Sequence, residues 1–217
     1  MFITFEGPDG AGKSTQLRLL SAYLAARRLS LLITREPGGT TIGEHIRQLL
    51  HDRQYQEMQP LTEIFLFSAA RAQLVAEKLR HHLAAGGVVL CDRYTDSTLA
   101  YQGYGRGLAL DMLRPLIAWS TANLTPDLTL LFDLDVAEGL RRRQSSGEEG
   151  NRLEDCTLDF HRRVRQGYRE LAQAEPQRWV VLNAARPVDL IQAEVRQIVT
   201  ERLRQRGYAL DALLPHP

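Results

Sequence analysis

Lysine is almost missing from this chain. Lys13 and Lys78 are the only two, and every other member of its 27 basic side chains is arginine. Most of that bias reads as a habit of the source genome, yet it sets Lys13 apart, because a compact ammonium and a planar guanidinium do different work. Cysteine is also scarce. Cys91 and Cys156 lie far apart with no C-x-x-C or Cys/His ligand spacing, which excludes a disulfide framework and a zinc finger and implies reduced thiols in a cytoplasmic protein. No apolar run approaches the ~18 residues of a membrane span, and the N-terminus has no charged-then-apolar leader, so a soluble protein without a membrane partner is expected. An excess of one charge sign is lacking too. With a formal net charge of +1, no whole-protein field draws in nucleic acid, and any anion must be recognised locally. Repeats and low-complexity linkers are absent, and 217 residues with 44% hydrophobic content suit one core and a single domain over 1–217.

Against those absences stands one dense motif. Gly7-Pro8-Asp9-Gly10-Ala11-Gly12-Lys13-Ser14 follows the apolar run Met1–Phe5 and precedes a helical pattern from Thr15 to Arg28. The pattern G-x-x-x-x-G-K-[ST] in a strand–loop–helix context is a phosphate loop: glycines let the backbone curl so that successive N–H groups point at a polyphosphate. Lys13 reaches the β- and γ-phosphates, the Ser14 hydroxyl holds Mg²⁺, and a helix N-terminus at Lys13 adds a partial positive charge at the same place. ATP is the nucleotide expected on Gly7 to Thr15. A guanine-reading N-K-x-D motif, as in a GTP-driven switch, is missing.

The rest of the chain alternates strands and helices. Strands are expected at Leu31–Thr34, Val88–Cys91, Leu128–Phe132 and Trp179–Leu182, with helices at about Thr41–His51, Leu61–Ala85, Asp111–Ala122, Val136–Arg143, Leu158–Ala174 and Val188–Arg206. This order predicts an α/β fold, a doubly wound parallel sheet of about five strands with helices on both faces and ligands at the carboxyl ends of the strands. The segment from Tyr94 through Gly107 is polar and punctuated by glycine; 136–155 reads as a short lid, and 207–217 as a loose tail.

Charged residues fall at the strand ends. Asp92 closes a buried apolar strand, where a carboxylate beside the phosphate loop can hold Mg²⁺, and Arg93 follows directly, suited either to a second phosphate or to an ion pair with its neighbour. Phe67 and Arg71 share a helix face four residues apart, fitting a stacked nucleobase with a forked donor, although a core phenylalanine is the simpler reading of spacing alone. Arg141, Arg142, Arg143 and Arg152 flank the lid and are candidates to neutralise charge during phosphoryl transfer, or else a solvated basic face.

Taken together, Phe5 to Thr15, Thr34-Arg35-Glu36-Pro37-Gly38-Gly39-Thr40, Asp92-Arg93-Tyr94-Thr95-Asp96-Ser97 through Tyr101-Gln102-Gly103, and Asn151-Arg152-Leu153-Glu154 resemble the thymidylate kinases, P-loop nucleoside monophosphate kinases that convert dTMP to dTDP. The resemblance runs from Met1 to about Arg206 and implies a P-loop NTPase-type fold, Mg²⁺-ATP as donor and a homodimer. It implies that Asp9 accepts from the deoxyribose 3′-hydroxyl, that Arg47 and Arg93 hold the dTMP phosphate with Glu36 organising the network, and that Phe67 stacks on thymine while Arg71 donates to its O4. Thr98 and Gln102 would meet the base edge, and Tyr101 would pack where a 2′-hydroxyl collides. Gly10 stands where eukaryotic-type members carry an arginine, so the catalytic arginine is expected from the lid, with Lys13, Arg93, Arg152 and Arg141 forming the catalytic set and Ser14 and Asp92 the metal site.

Overall fold

The computed structural model describes residues 1–145, 152 and 156–210. The sheet is built from β1 (Phe2–Glu6), β2 (Leu31–Arg35), β3 (Val88–Asp92), β4 (Leu128–Asp133) and β5 (Trp179–Asn183), in the order β2-β3-β1-β4-β5, all parallel. Strands buried on both faces need no polar alternation, and accordingly β1, β3 and β4 are nearly continuous apolar runs. The edge strands β2 and β5 instead leave Ile33 and Val181 half exposed.

Along β1 the side chains alternate between two cores. Ile3 and Phe5 enter a cluster with Leu20 and Leu24 of α1 (Lys13–Ala25) and Val195 and Val199 of α9 (Val188–Gln205). Phe2 faces the opposite way, onto Leu74, Val75 and Leu79. On that side α2 (Thr41–His51) packs against α3 (Pro60–Leu74), which continues through a π-helical stretch (Val75–Leu79) into α4 (Arg80–Ala84). The long helix expected over Leu61–Ala85 is thus present, with wider turns at its middle.

The polar segment after Tyr94 is not a loop. It forms α5 (Thr95–Thr98), which runs directly into a π-helical stretch (Leu99–Gly105) and packs tightly on α8 (Leu158–Ala174). Close approach explains its glycine content: a Cβ on Gly105 would lie 2.6 Å from the Phe160 ring. Glycine and polar composition therefore disguised a buried helix whose inner residues face the site. The remaining helices are α6 (Leu110–Thr121) and α7 (Val136–Ser145).

Of the expected lid, α7, Arg152 and the segment from Cys156 on are described, whereas 146–151 and 153–155 lie outside the described residues. Of the expected tail, 211–217 lie outside them as well. Residues 207–210 are anchored: the Tyr208 hydroxyl bonds to the Met1 amino group and the Gly87 carbonyl, and Tyr208 and Leu210 pack on the first core.

Candidate active site

The carboxyl ends of β1, β2 and β3 open into one cavity of about 890 Å³. Its floor is the phosphate loop. At Gly10 the backbone adopts φ +75° and an added Cβ would lie 2.1 Å from the Gly139 carbonyl oxygen, so the loop and α7 touch backbone to backbone where only glycine fits. Lys13 is buried and its Nζ donates to the carbonyls of Gly7 and Pro8, at 3.1 and 2.9 Å. Burial, then the nearby Arg93 charge, lowers the Lys13 ammonium to about 8 in spite of Asp9 and Asp92. The Ser14 hydroxyl donates to Asp92 Oδ2 at 2.7 Å, which joins the two residues read as metal ligands.

Arg93 stands at the centre of a knot. Its φ of +70° is sparsely populated by non-glycine residues and points the side chain back across the end of β1. One terminal nitrogen donates to Asp9 Oδ1 at 2.6 Å and to the Tyr101 hydroxyl at 3.1 Å. The other reaches the Ser97 and Tyr168 hydroxyls at 3.2 and 3.1 Å. Burial pushes the Asp9 carboxyl up, but the Arg93 and Lys13 charges and hydrogen bonds from Tyr101 and Arg93 more than offset it and hold it well below the usual range.

Beneath the knot lies Glu6, fully enclosed, a residue to which sequence reasoning attached no role. It accepts from the Tyr94 N–H at 2.8 Å, the Ser97 hydroxyl at 2.6 Å and the Tyr168 hydroxyl at 2.9 Å, so it braces three of the groups around Arg93. Burial, reinforced by the Asp96 charge, pushes the Glu6 carboxyl up to about 7. Its one legible signal was a carboxylate closing an apolar strand. Tyr168 had none, since it arrives from α8, 75 residues away from Arg93.

At the far side of the cavity Arg71 and Glu36 form a buried ion pair, with Arg71 Nε 2.8 Å from Glu36 Oε2. Burial lowers the pKa of the Arg71 guanidinium, and the Glu36 charge and hydrogen bond more than compensate, leaving it above its ordinary value. Arg71 also donates to Thr98 Oγ1 at 2.9 Å. Its Nη1 and Glu36 Oε1 are buried without a partner. Phe67 lines the cavity beside this pair, and Arg47 lines it while donating to the Pro37 carbonyl at 3.0 Å.

Every nucleotide- and substrate-site residue expected from the sequence lines this cavity except Gly7, Pro8 and Ala11, which lie in the loop itself. The arginines of the lid divide differently. Arg142 and Arg143 line the cavity, whereas Arg141 and Arg152 do not. Arg141 is clasped by Glu138, with both contacts at 2.9 Å. Arg152 is buried against Glu63 at 2.6 Å and the Leu50 carbonyl at 3.1 Å. Arg142 donates to the Ala184 carbonyl at 3.0 Å, which ties α7 to the loop after β5.

A phosphate loop facing a second cluster of arginines across one shared cavity, at the carboxyl ends of a parallel sheet, is the arrangement of a P-loop kinase. Within that class the thymidylate kinase family model matches residues 5–195, and the chain belongs to that family. It is 54% identical to a thymidylate kinase of Deinococcus radiodurans over 93% of this chain and 97% of that one, and 50% identical to one from a Roseiflexus species over 92% and 93%. It also resembles the crystal structure of a thymidylate kinase from Ehrlichia chaffeensis, with a TM-score of 0.73 and 33% identity over 92% of this chain and 98% of the other. Among the described residues no helix is long and apolar enough to cross a membrane.

Proposed function

We infer that this chain phosphorylates dTMP to dTDP with ATP as the phosphate donor. The observation that carries the choice of acceptor is Arg71 Nη1, buried and partnerless beside Phe67 in the cavity that also holds the phosphate loop. A buried donor without a partner is costly, and a base carbonyl at that position would satisfy it while the ring stacked on Phe67. The dTMP phosphate then falls to Arg93 and Arg47, and the sugar to Asp9 and Tyr101, whose hydroxyl donates to Asp9 at 3.0 Å.

The acceptor phosphate is already an anion, so no general base is required. Catalysis rests on alignment and on neutralising charge that spreads over the transferring group. Lys13 supplies a compact cation to the donor phosphates. Arg93 is held by four oxygen atoms and changes little when charge develops in front of it. Arg142 and Arg143 are the arginines of α7 best placed to act from the lid side, and Arg142 with the loop around Ala184 suits the adenine. The Ser14 hydroxyl and the Asp92 carboxylate, in mutual contact at 2.7 Å, fit Mg²⁺, which takes few protein ligands and keeps water and phosphate oxygens; bound there, it would neutralise phosphate charge.

An ADP-release assay with ATP and each of dTMP, dUMP, dGMP, AMP and thymidine tests the reading. Strong release with dTMP, weaker release with dUMP and little with the others is expected, because a methyl pocket separates the two pyrimidines by only ~1–3 kcal/mol. No stimulation by dTMP above the ATP-only rate would sink it.

A homodimer is supported by exposed apolar residues at one-face helical spacing on three neighbouring helices: Ile42 and Leu49 on α2, Leu61 and Phe65 on α3, Met112 and Trp119 on α6, with Trp119 84% exposed. Sedimentation should give twice the chain mass, and Trp119→Arg should shift the protein toward monomer. A monomer at micromolar concentration for the unsubstituted chain would refute this assembly. Both described cysteines are free, which suits a cytoplasmic setting.

A further inference from the structure

A glutamine amide carries a donor at one end and an acceptor at the other, so a glutamine at a base edge reads nothing definite unless something decides which end it presents. Gln102 is buried, lines the cavity and donates through Nε2 to Glu63 Oε1 at 2.8 Å. Glu63 is fully enclosed and sits on α3 four residues before Phe67 and eight before Arg71, on the same helix face. Its other oxygen accepts from Arg152 at 2.6 Å and from Arg106 at 3.1 Å. Burial pushes this carboxyl up, but the Gln102 hydrogen bond and the Arg106 charge more than compensate and hold it below its ordinary value. An ionised carboxylate only accepts, so the Gln102 NH₂ group is committed to it and the carbonyl oxygen is the end left for the cavity.

We propose that Glu63 is a positioning residue that locks the Gln102 amide with its carbonyl toward the base, making the site selective for a pyrimidine protonated at N3. This deepens the dTMP reading and rests on it. Arg71 has donors only, so Arg71 and a locked Gln102 together ask for a carbonyl at C4 and a proton at N3. Thymine offers both. A cytosine ring offers an amino group at C4 and a bare N3, and meets donor with donor and acceptor with acceptor. Arg71 therefore accounts for half of this discrimination and Glu63, acting through Gln102, for the other half.

Glu63→Gln keeps the size and inverts the lock. Arg152 at 2.6 Å and Arg106 Nη2 at 3.1 Å hold the Oε2 position and claim the new carbonyl, while Arg106 Nε reaches the Oε1 position only at 3.4 Å; the shorter contacts turn the new NH₂ group toward Gln102 and force the Gln102 carbonyl to face it. The Gln102 NH₂ group then meets the base. The experiment compares kcat/KM for dTMP and for 5-methyl-dCMP, which shares the methyl, sugar and phosphate and differs only at C4 and N3. The ratio of the two is expected to fall about tenfold in Glu63→Gln, through KM of the nucleotide acceptors, with KM for ATP unchanged. Equal loss on both acceptors would overturn the proposal and leave Glu63 a packing residue. If Glu63→Gln fails to give a cooperative melt, Gln102→Leu removes the same acceptor with the Glu63 ion pairs intact: the ratio must fall by a similar factor, and an unchanged ratio overturns the proposal. Absence of dTMP-dependent ADP release from the unsubstituted chain would overturn the acceptor reading and this proposal with it, whereas dTMP turnover with an unaltered ratio overturns the proposal alone.

Discussion

Lys13→Ala is expected to lower kcat with dTMP by about 10³-fold or more while leaving the fold intact. The ammonium is buried under the phosphate loop, and its bonds in this structure go to two loop carbonyls, at 2.9 and 3.1 Å. Burial and the Arg93 charge already lower its pKa to about 8, so its cation is held at a cost rather than contributing to stability. Removing it leaves no orphaned charge behind, because Asp9 keeps Arg93 at 2.6 Å and Tyr101 at 3.0 Å. What disappears is the one compact cation of the loop. Lys13→Arg should not restore turnover, since a planar fork does not fit where an ammonium bonds inside a closed turn. Steady-state kinetics together with urea unfolding of both variants would check this. Turnover close to that of the unsubstituted chain, or loss of the cooperative unfolding transition, would remove Lys13 from the catalytic set.

Arg71→Met is expected to have two large effects that a second substitution separates. Arg71 and Glu36 have side chains only 1% and 3% exposed, and the variant leaves a carboxylate buried without its counter-ion. Breaking such a pair from one side costs about 3–5 kcal/mol, most of it the penalty of the stranded charge. Glu36→Gln added to the same chain neutralises that charge and should recover most of the lost stability. It should not recover substrate binding, because the donor to the base carbonyl is still missing. Hydrogen bonds from a charged group contribute roughly 1.5–3 kcal/mol, so KM for dTMP should remain raised about 10- to 100-fold in the double variant, with KM for ATP little changed. Unfolding curves and a two-substrate kinetic matrix make the test. Parallel loss for both substrates would overturn the assignment of Arg71 to the base, and an unrecovered stability would show that the pair is not what Arg71 contributes to the fold.

Reading these residues from sequence worked where chemistry is local. The phosphate loop needs a fixed run of eight neighbours, and its glycines, its lysine and its serine are recognisable because backbone geometry dictates them one by one. The strand–helix alternation was legible for the same reason: hydrophobic periodicity is a property of a short window. The helix at Thr95–Gly105 was not legible, since the glycine that permits its close approach to Phe160 looks in sequence like the glycine of a loop.

The division of labour among charged residues was likewise a tertiary matter. By itself the sequence determined the fold class, the phosphate loop, the Asp92–Arg93 strand end and the Phe67–Arg71 face, all settled by neighbours within a few positions. The tertiary structure alone decided that Glu6 braces Arg93 through Ser97 and Tyr168, that Arg152 is buried against Glu63 rather than lining the cavity, and that Glu63 takes the Gln102 amide. Each of those depends on which carboxylate a long side chain reaches, over separations of 89 residues for Arg152 and 162 for Tyr168. An arginine's charge is written in the sequence; its partner is set by the packing of helices that meet only after the chain has folded.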